Sequence, residues 1–184
     1  MSSSIDTTTS GELSRVGDDA QMAEFLGFQL GNEYYALPLS SVREILRLPP
    51  VTEVPRGPDD VLGIISVRGQ VTTLVDLRRR LKMPERELDS RSRVLLVERG
   101  SEVLGLLVDR VLQVYRLREQ EMELASVLGS DTSSYVMGVG RPGSHDVEST
   151  EGAPKPQAKG DDLIGTQLLI LIDPMALLKP YGAD

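Results

Sequence analysis

Few side chains in this 184-residue chain could carry out covalent chemistry, and they are poorly placed for it. The single histidine, His145, has Asp146 and Glu148 beside it, but it lies in a stretch rich in Pro, Gly, Ser and charge. The chain has no cysteine, so thiolate metal sites, Cys-His nucleophiles and disulfides are all excluded. A Ser-His-Asp arrangement would have to run through His145 on a floppy segment, whereas catalysis needs rigid placement. One histidine without cysteine is also a poor metal site. Gly138-x-Gly140-x-x-Gly143 has the spacing of a dinucleotide fingerprint, but that motif must open a helix on whose N-terminus the phosphates sit. Pro142 and a loop-like segment follow instead. The residues predict no catalytic site, no bound metal and no cofactor.

Charged residues that could bind rather than react are more informative. Arg78-Arg79-Arg80 is a basic run, read either as a solvated helix face neutralised by Glu85 and Glu87 or as a partner-binding patch. Arg68 tips a hairpin between two very apolar runs, and is either an ordinary turn residue or a binding residue. Ser41-x-x-Glu44 has capping-box spacing. It predicts a short helical turn over Ser41 to Leu46, with Glu44 reaching back to cap it.

The elements that would position these residues come in two passes. GNEYYALPLSSVREILRL at 31–48 is matched by GSEVLGLLVDRVLQVYRL at 100–117, with six of 18 positions identical. Val61-Leu62-Gly63-Ile64 returns as Val136-Met137-Gly138-Val139, and Leu74-Val75-Asp76 as Leu171-Ile172-Asp173. A repeat of this size and copy number predicts two similar small folds side by side rather than a solenoid. Short β-rich runs with closely spaced turns predict a mainly β protein of two small barrels with short helices starting at Asp76 and Asp173.

The boundaries follow from composition and register. Residues 1–23 are rich in Ser, Thr, Asp and Gly and read as a disordered tail. The first barrel is expected over 24–82 and the second over 93–184, with a polar linker between them. The repeat register shifts by 75 at residue 61 and by 97 at residue 76, so the second pass carries 22 extra residues. They fall at about 141–162 and predict a mobile surface loop. Each pass alone is too small for a large core, so the two must lean on each other.

A net charge of −8 argues against nucleic acid and against an anionic membrane as partner. The N-terminal segment has no signal-peptide pattern, and no apolar run approaches the roughly 20 residues of a membrane span. A soluble, cytoplasmic binding module is the expectation, and an SH3-like peptide binder in some other signalling pathway is the alternative.

Several blocks in order resemble the CheW family of coupling proteins of bacterial chemotaxis. They are Phe28-x-Leu30-Gly31-x-Glu33-x-Tyr35-Ala36-Leu37-Pro38-Leu39 with Val42-Arg43-Glu44-Ile45, then Val61 to Ile65 with Arg68-Gly69 and Val75-Asp76-Leu77-Arg78, then Gly105 to Asp109, Tyr135 to Gly140 and Leu168 to Asp173. The resemblance implies two five-stranded SH3-like barrels. It implies a non-enzymatic adaptor that joins the cytoplasmic tips of chemoreceptors to the regulatory domain of the histidine kinase CheA, recruited to membrane-associated receptor arrays. An apolar groove between the barrels would take the receptor hairpin. Val42, Glu44 and Arg68 match positions linked to receptor and kinase coupling. The family often has Asn two residues before the turn arginine, where this chain has Ser66, and the loop at 141–162 is not typical of compact members.

Overall fold

The computed structural model describes residues 22–125, 134–143 and 167–178. Eleven strands fall within them: β1 (Met22–Leu30), β2 (Glu33–Pro38), β3 (Val42–Arg47), β4 (Val61–Val67), β5 (Gln70–Asp76), β6 (Arg93–Arg99), β7 (Glu102–Val108), β8 (Arg110–Arg118), β9 (Met122–Leu124), β10 (Val136–Gly140) and β11 (Leu169–Ile172). Two short helices, α1 (Leu77–Arg80) and α2 (Pro174–Leu177), follow β5 and β11. Asp76 and Asp173 cap them through their side chains, as the repeat predicts, and Pro174 takes the first turn of α2. The protein is mainly β.

The strands form two sheets, ordered β8-β1-β2-β11-β10-β9 and β3-β6-β7-β5-β4. Each closes on itself. Thr52, beyond the end of β3, bridges to Ile64 on the opposite edge of the second sheet. In the first sheet β8 bends through a 3-10 turn at Glu119–Glu121 and continues as β9, which pairs with β10. Counting β8 and β9 as one bent strand makes each barrel five-stranded. At both closures the backbones come very close. A Cβ on Gly63 would lie 2.2 Å from the Thr52 carbonyl oxygen, and one on Gly138 would lie 2.2 Å from the Glu123 carbonyl oxygen. The repeated glycine of the sequence is the residue that lets each barrel shut.

The barrels are not the two halves expected at 24–82 and 93–184. Residues 22–38 pair with strands from 110 onward, so the first barrel is built from both ends of the chain. The second barrel is continuous, from β3 through β7. Among the described residues the chain passes between barrels at a 3-10 turn over Leu39–Ser41 and at Asp109. The physical reason is the parallel pairing of β5 with β7 and of β11 with β2, by which each half takes the other half's hairpin. Met22 and Ala23, expected to fall in a tail at 1–23, belong to β1. Residues 1–21, and the part of the expected 141–162 insertion from 144 onward, lie outside the described residues.

Packing follows from this exchange. One cluster fills each barrel: Phe25, Tyr115, Leu117 and Leu171 in the first, and Ile65, Leu74, Val94 and Leu107 in the second. The largest cluster lies between them and joins Phe28, Leu30, Tyr35 and Leu37 to Leu95, Val97, Leu106 and Leu177. Phe28 and Tyr35 stack with ring centroids 5.9 Å apart. Burying a side chain of this size stabilises by about 1.5–3 kcal/mol, so the interface between the barrels is a principal core and not a loose contact.

Beside this core, Asp109 pins the second crossover. Its carboxylate accepts from Arg78 Nε at 2.8 Å and Nη2 at 2.5 Å, from the Gly31 N–H at 2.7 Å and from Arg86 Nη1 at 3.4 Å. Burial pushes this carboxyl up, but the Arg78, Gly31 and Arg86 contacts together outweigh it and hold the group below its ordinary value.

Candidate functional site

Glu44 stands on β3 and not on a helix. Residues 42–47 alternate half-buried and exposed along the strand, and only Leu39–Ser41 before them forms a 3-10 turn. The Ser41 hydroxyl donates to the Pro38 carbonyl at 2.6 Å. The capping-box spacing of Ser41 and Glu44 is therefore misleading, because β-branched Val42 and Ile45 favour extended backbone and the segment pairs with β6. A bulge between Val42 and Glu44 separates their roles. Val42 packs against the core between the barrels, while Glu44 beyond the bulge is half-buried and accepts a hydrogen bond from Arg68.

Arg68 arrives from the opposite edge. Val67 pairs with Gln70, so Arg68 and Gly69 are the two residues of a tight turn, with φ of 51° and 82°. Two positive φ angles are the mark of a type I′ turn, which favours Asn-Gly. An arginine in the first position costs on the order of 1 kcal/mol. Its guanidinium donates from Nη2 to Glu44 Oε1 at 2.8 Å. The Arg68 side chain is 79% exposed and that of Glu44 is 27% exposed. An ion pair this open is worth about 0–1 kcal/mol, so stability alone does not explain a strained arginine here. Val71 beside the turn is 72% exposed and Ile45 beside Glu44 is 44% exposed. The arrangement is an oriented, solvent-facing charge pair with apolar side chains around it.

The structure thus brings Glu44 and Arg68 together across the closure of the second barrel, while Val42 packs separately against the core between the barrels. The groove implied between the barrels is filled at its centre by the shared core. Clefts open around it, one of about 850 Å³ lined by Met22, Phe25, Pro38, Leu39, Arg116 and Met137 at the first crossover. Another of about 750 Å³, lined by Gln70, Val71, Thr73, Arg99 and Leu178, runs from the Arg68 turn to the end of α2.

The Arg78–Arg80 run divides, with Arg79 on a solvated face neutralised by Glu85 and the other two arginines drawn into the structure. Arg78 is held by Asp109. Arg79 pairs with Glu85. Arg80 donates to the Leu177 carbonyl and to Asp60. Among the described residues no group of three or more His, Asp or Glu is gathered as metal ligands would be. His145 lies outside them.

Comparison with known proteins decides the family. The CheW-like domain family matches residues 24–179. The chain belongs to the CheW-like family. It is 28% identical to chemotaxis protein CheW of Helicobacter pylori, over 70% of this chain and 78% of that protein. Against chemotaxis protein CheW of Rhizobium meliloti it is 32% identical, over 63% and 76%. Protein FrzA of Myxococcus xanthus is likewise 32% identical, over 63% and 72%. Among solved structures, the scaffolding protein TtCheW of Thermoanaerobacter tengcongensis superposes with a TM-score of 0.68 at 25% identity, covering 88% of this chain and 95% of that one. The two-barrel architecture is therefore that of CheW-like proteins.

Proposed function

We propose that this chain is a non-catalytic scaffold of chemotaxis signalling that couples chemoreceptor tips to the regulatory domain of a CheA-type histidine kinase. Its contact would be the Glu44–Arg68 pair together with Val42. Family membership and the names of its relatives support the chemotaxis role. The observation that carries the assignment of the site is the ion pair itself, a strained and exposed arginine oriented by an acid from a different strand. Among the described residues no helix is long and apolar enough to cross a membrane, so attachment to a receptor array would come through partners. Two faces on one rigid body would let receptor and kinase states bias one another, which is coupling by population shift.

The test is reconstitution with a receptor signalling fragment and the kinase. Arg68→Glu should abolish or strongly reduce receptor-dependent control of kinase activity while the melting temperature stays near that of wild type, because the pair contributes little to stability. Full coupling in the charge-reversed variant would overturn the assignment of the site. Failure of the wild-type chain to retain any CheA-type regulatory domain would overturn the function.

A further inference from the structure

The coupling site leaves the cleft of about 750 Å³ beside β5 and β7 without a role. Its apolar lining comes from Val71, Val75 and Leu104 on the parallel pair of β5 and β7, and from Leu178 at the end of α2. Three arginines line it as well, and two are already engaged. Arg80 is held by Asp60 and the Leu177 carbonyl, and Arg99 by Glu102 and the Leu178 carbonyl. Both acids belong to the same wall, so these charges cancel within it. Arg43 is exposed and has no partner among the described residues. The cleft therefore carries one uncompensated positive charge in a chain of net charge −8. The cleft at the first crossover has no such charge to spare, because its arginine, Arg116, is held by Glu24.

Arg43 comes to the cleft from the bulge in β3. Val42 faces Val97 and Glu44 faces Leu96, so Arg43 is the extra residue with none opposite it. Bulges serve to re-aim a side chain beside a site. Protection of a strand edge would account for a charge on β3, but not for the hydroxyls that share the cleft with it. Thr72 is 5% exposed and lines the cleft, and among the described residues its hydroxyl has no hydrogen-bond partner. A buried hydroxyl ordinarily has one. This one is not sealed from solvent, so a molecule in the cleft can supply it. Thr73, on the face of β5 that it shares with Val71 and Val75, adds a second hydroxyl.

We propose that this cleft binds a small amphipathic monocarboxylate. The carboxylate would sit on Arg43 and the aliphatic or aromatic body on Val71, Leu104 and Leu178, with the threonine hydroxyls taking a further polar group of the ligand. A lone guanidinium matches one carboxylate in a two-pronged contact. Asp60 and Glu102 in the wall oppose the additional charges of a nucleotide or a polyphosphate. The volume falls within the range of about 300–1,000 Å³ that holds small organic ligands. Such a ligand plays no part in the coupling role, so the two readings stand or fall separately.

The experiment titrates 3-phenyllactate into the isotope-labelled full chain and follows the backbone amide resonances. Saturable shifts should gather at Val71–Val75 and Ser101–Leu104, with a dissociation constant of about 1 mM or tighter. The uncharged 3-phenyllactamide should bind at least about tenfold more weakly. Arg43→Gln should weaken binding of the acid about tenfold and Thr72→Val about threefold. Arg110→Gln, which removes an exposed cation on β8, should leave it unchanged. Equal binding of acid and amide, undiminished binding by Arg43→Gln, or shifts gathered instead at the cleft of the first crossover would overturn the proposal. So would the lack of saturation by about 10 mM acid, or tighter binding of adenosine monophosphate than of the acid.

Discussion

Replacing Asp109 by asparagine tests whether the second crossover is clamped electrostatically. The substitution keeps size and shape but removes the charge that faces Arg78, whose side chain is 11% exposed against 10% for Asp109. Breaking one side of a buried pair costs about 3–5 kcal/mol, because the remaining ion has neither water nor a counter-charge. Arg78 keeps its bond from Nη1 to the Pro84 carbonyl, and both side chains retain a little solvent, so the lower end applies, about 3 kcal/mol. For a chain of this length that corresponds to a fall in melting temperature of about 6–12 °C. Circular dichroism melts read it directly. The double variant Arg78→Met/Asp109→Leu should regain part of the loss, since removing both charges removes the stranded ion. The pH dependence has a definite sign. The Asp109 carboxyl is held below its ordinary 3.8, so its contribution is fully present above that pH and is lost as pH falls through the folded value. Asp109→Asn should be the less acid-sensitive protein in this range. A fall of less than about 2 °C in the single variant, or a double variant no more stable than it, would refute the clamp.

The other predictions concern the barrel closures and α2. Gly63→Ala should destabilise by more than about 2 kcal/mol, since its Cβ would strike the Thr52 carbonyl and its φ of 149° disfavours any side chain. Gly138→Ala should behave alike through the Glu123 carbonyl, and a neutral result in a urea titration of either would contradict the close approach. Arg80→Ala removes the donor to the Leu177 carbonyl and a partner of Asp60, which is 5% exposed. It should cost about 1–3 kcal/mol, with hydrogen exchange at the end of α2 rising first.

Much of this fold was legible because the signals were local and repeated. The matched runs at 31–48 and 100–117 cover β2 with β3 and β7 with β8, and Asp76 and Asp173 cap helices at equivalent places. The allocation of strands to barrels was not legible, because alternation along a strand does not say which sheet it joins. Nothing in the residues of β2 announces that Ala36 lies against Leu171. Ser41 and Glu44 misled because their spacing suits both a helix cap and a strand, and only the pairing with β6 settles it. At the site, resemblance supplied Glu44 and Arg68 as separate positions, but their contact depends on closure of a barrel between distant edges. The Asp109 clamp was missed, although the register held a trace of it, an acid where the first pass has Ser40.

The second barrel's stretch of sequence lies within that of the first, and this orders their formation in time. Every strand of the second barrel lies between Val42 and Val108, so its pairings can form as soon as that stretch has left the ribosome. The first barrel cannot. Phe28 pairs with Val111 and Tyr35 with Ile170, so the opening hairpin gains its β8 partner only after residue 118 and its β11 partner only after residue 170 has been made. Such long-range closures are slow and leave apolar strands open to the wrong neighbour. The nascent chain is thus most vulnerable at its beginning, and the finished inner barrel is the surface on which that hairpin can shelter.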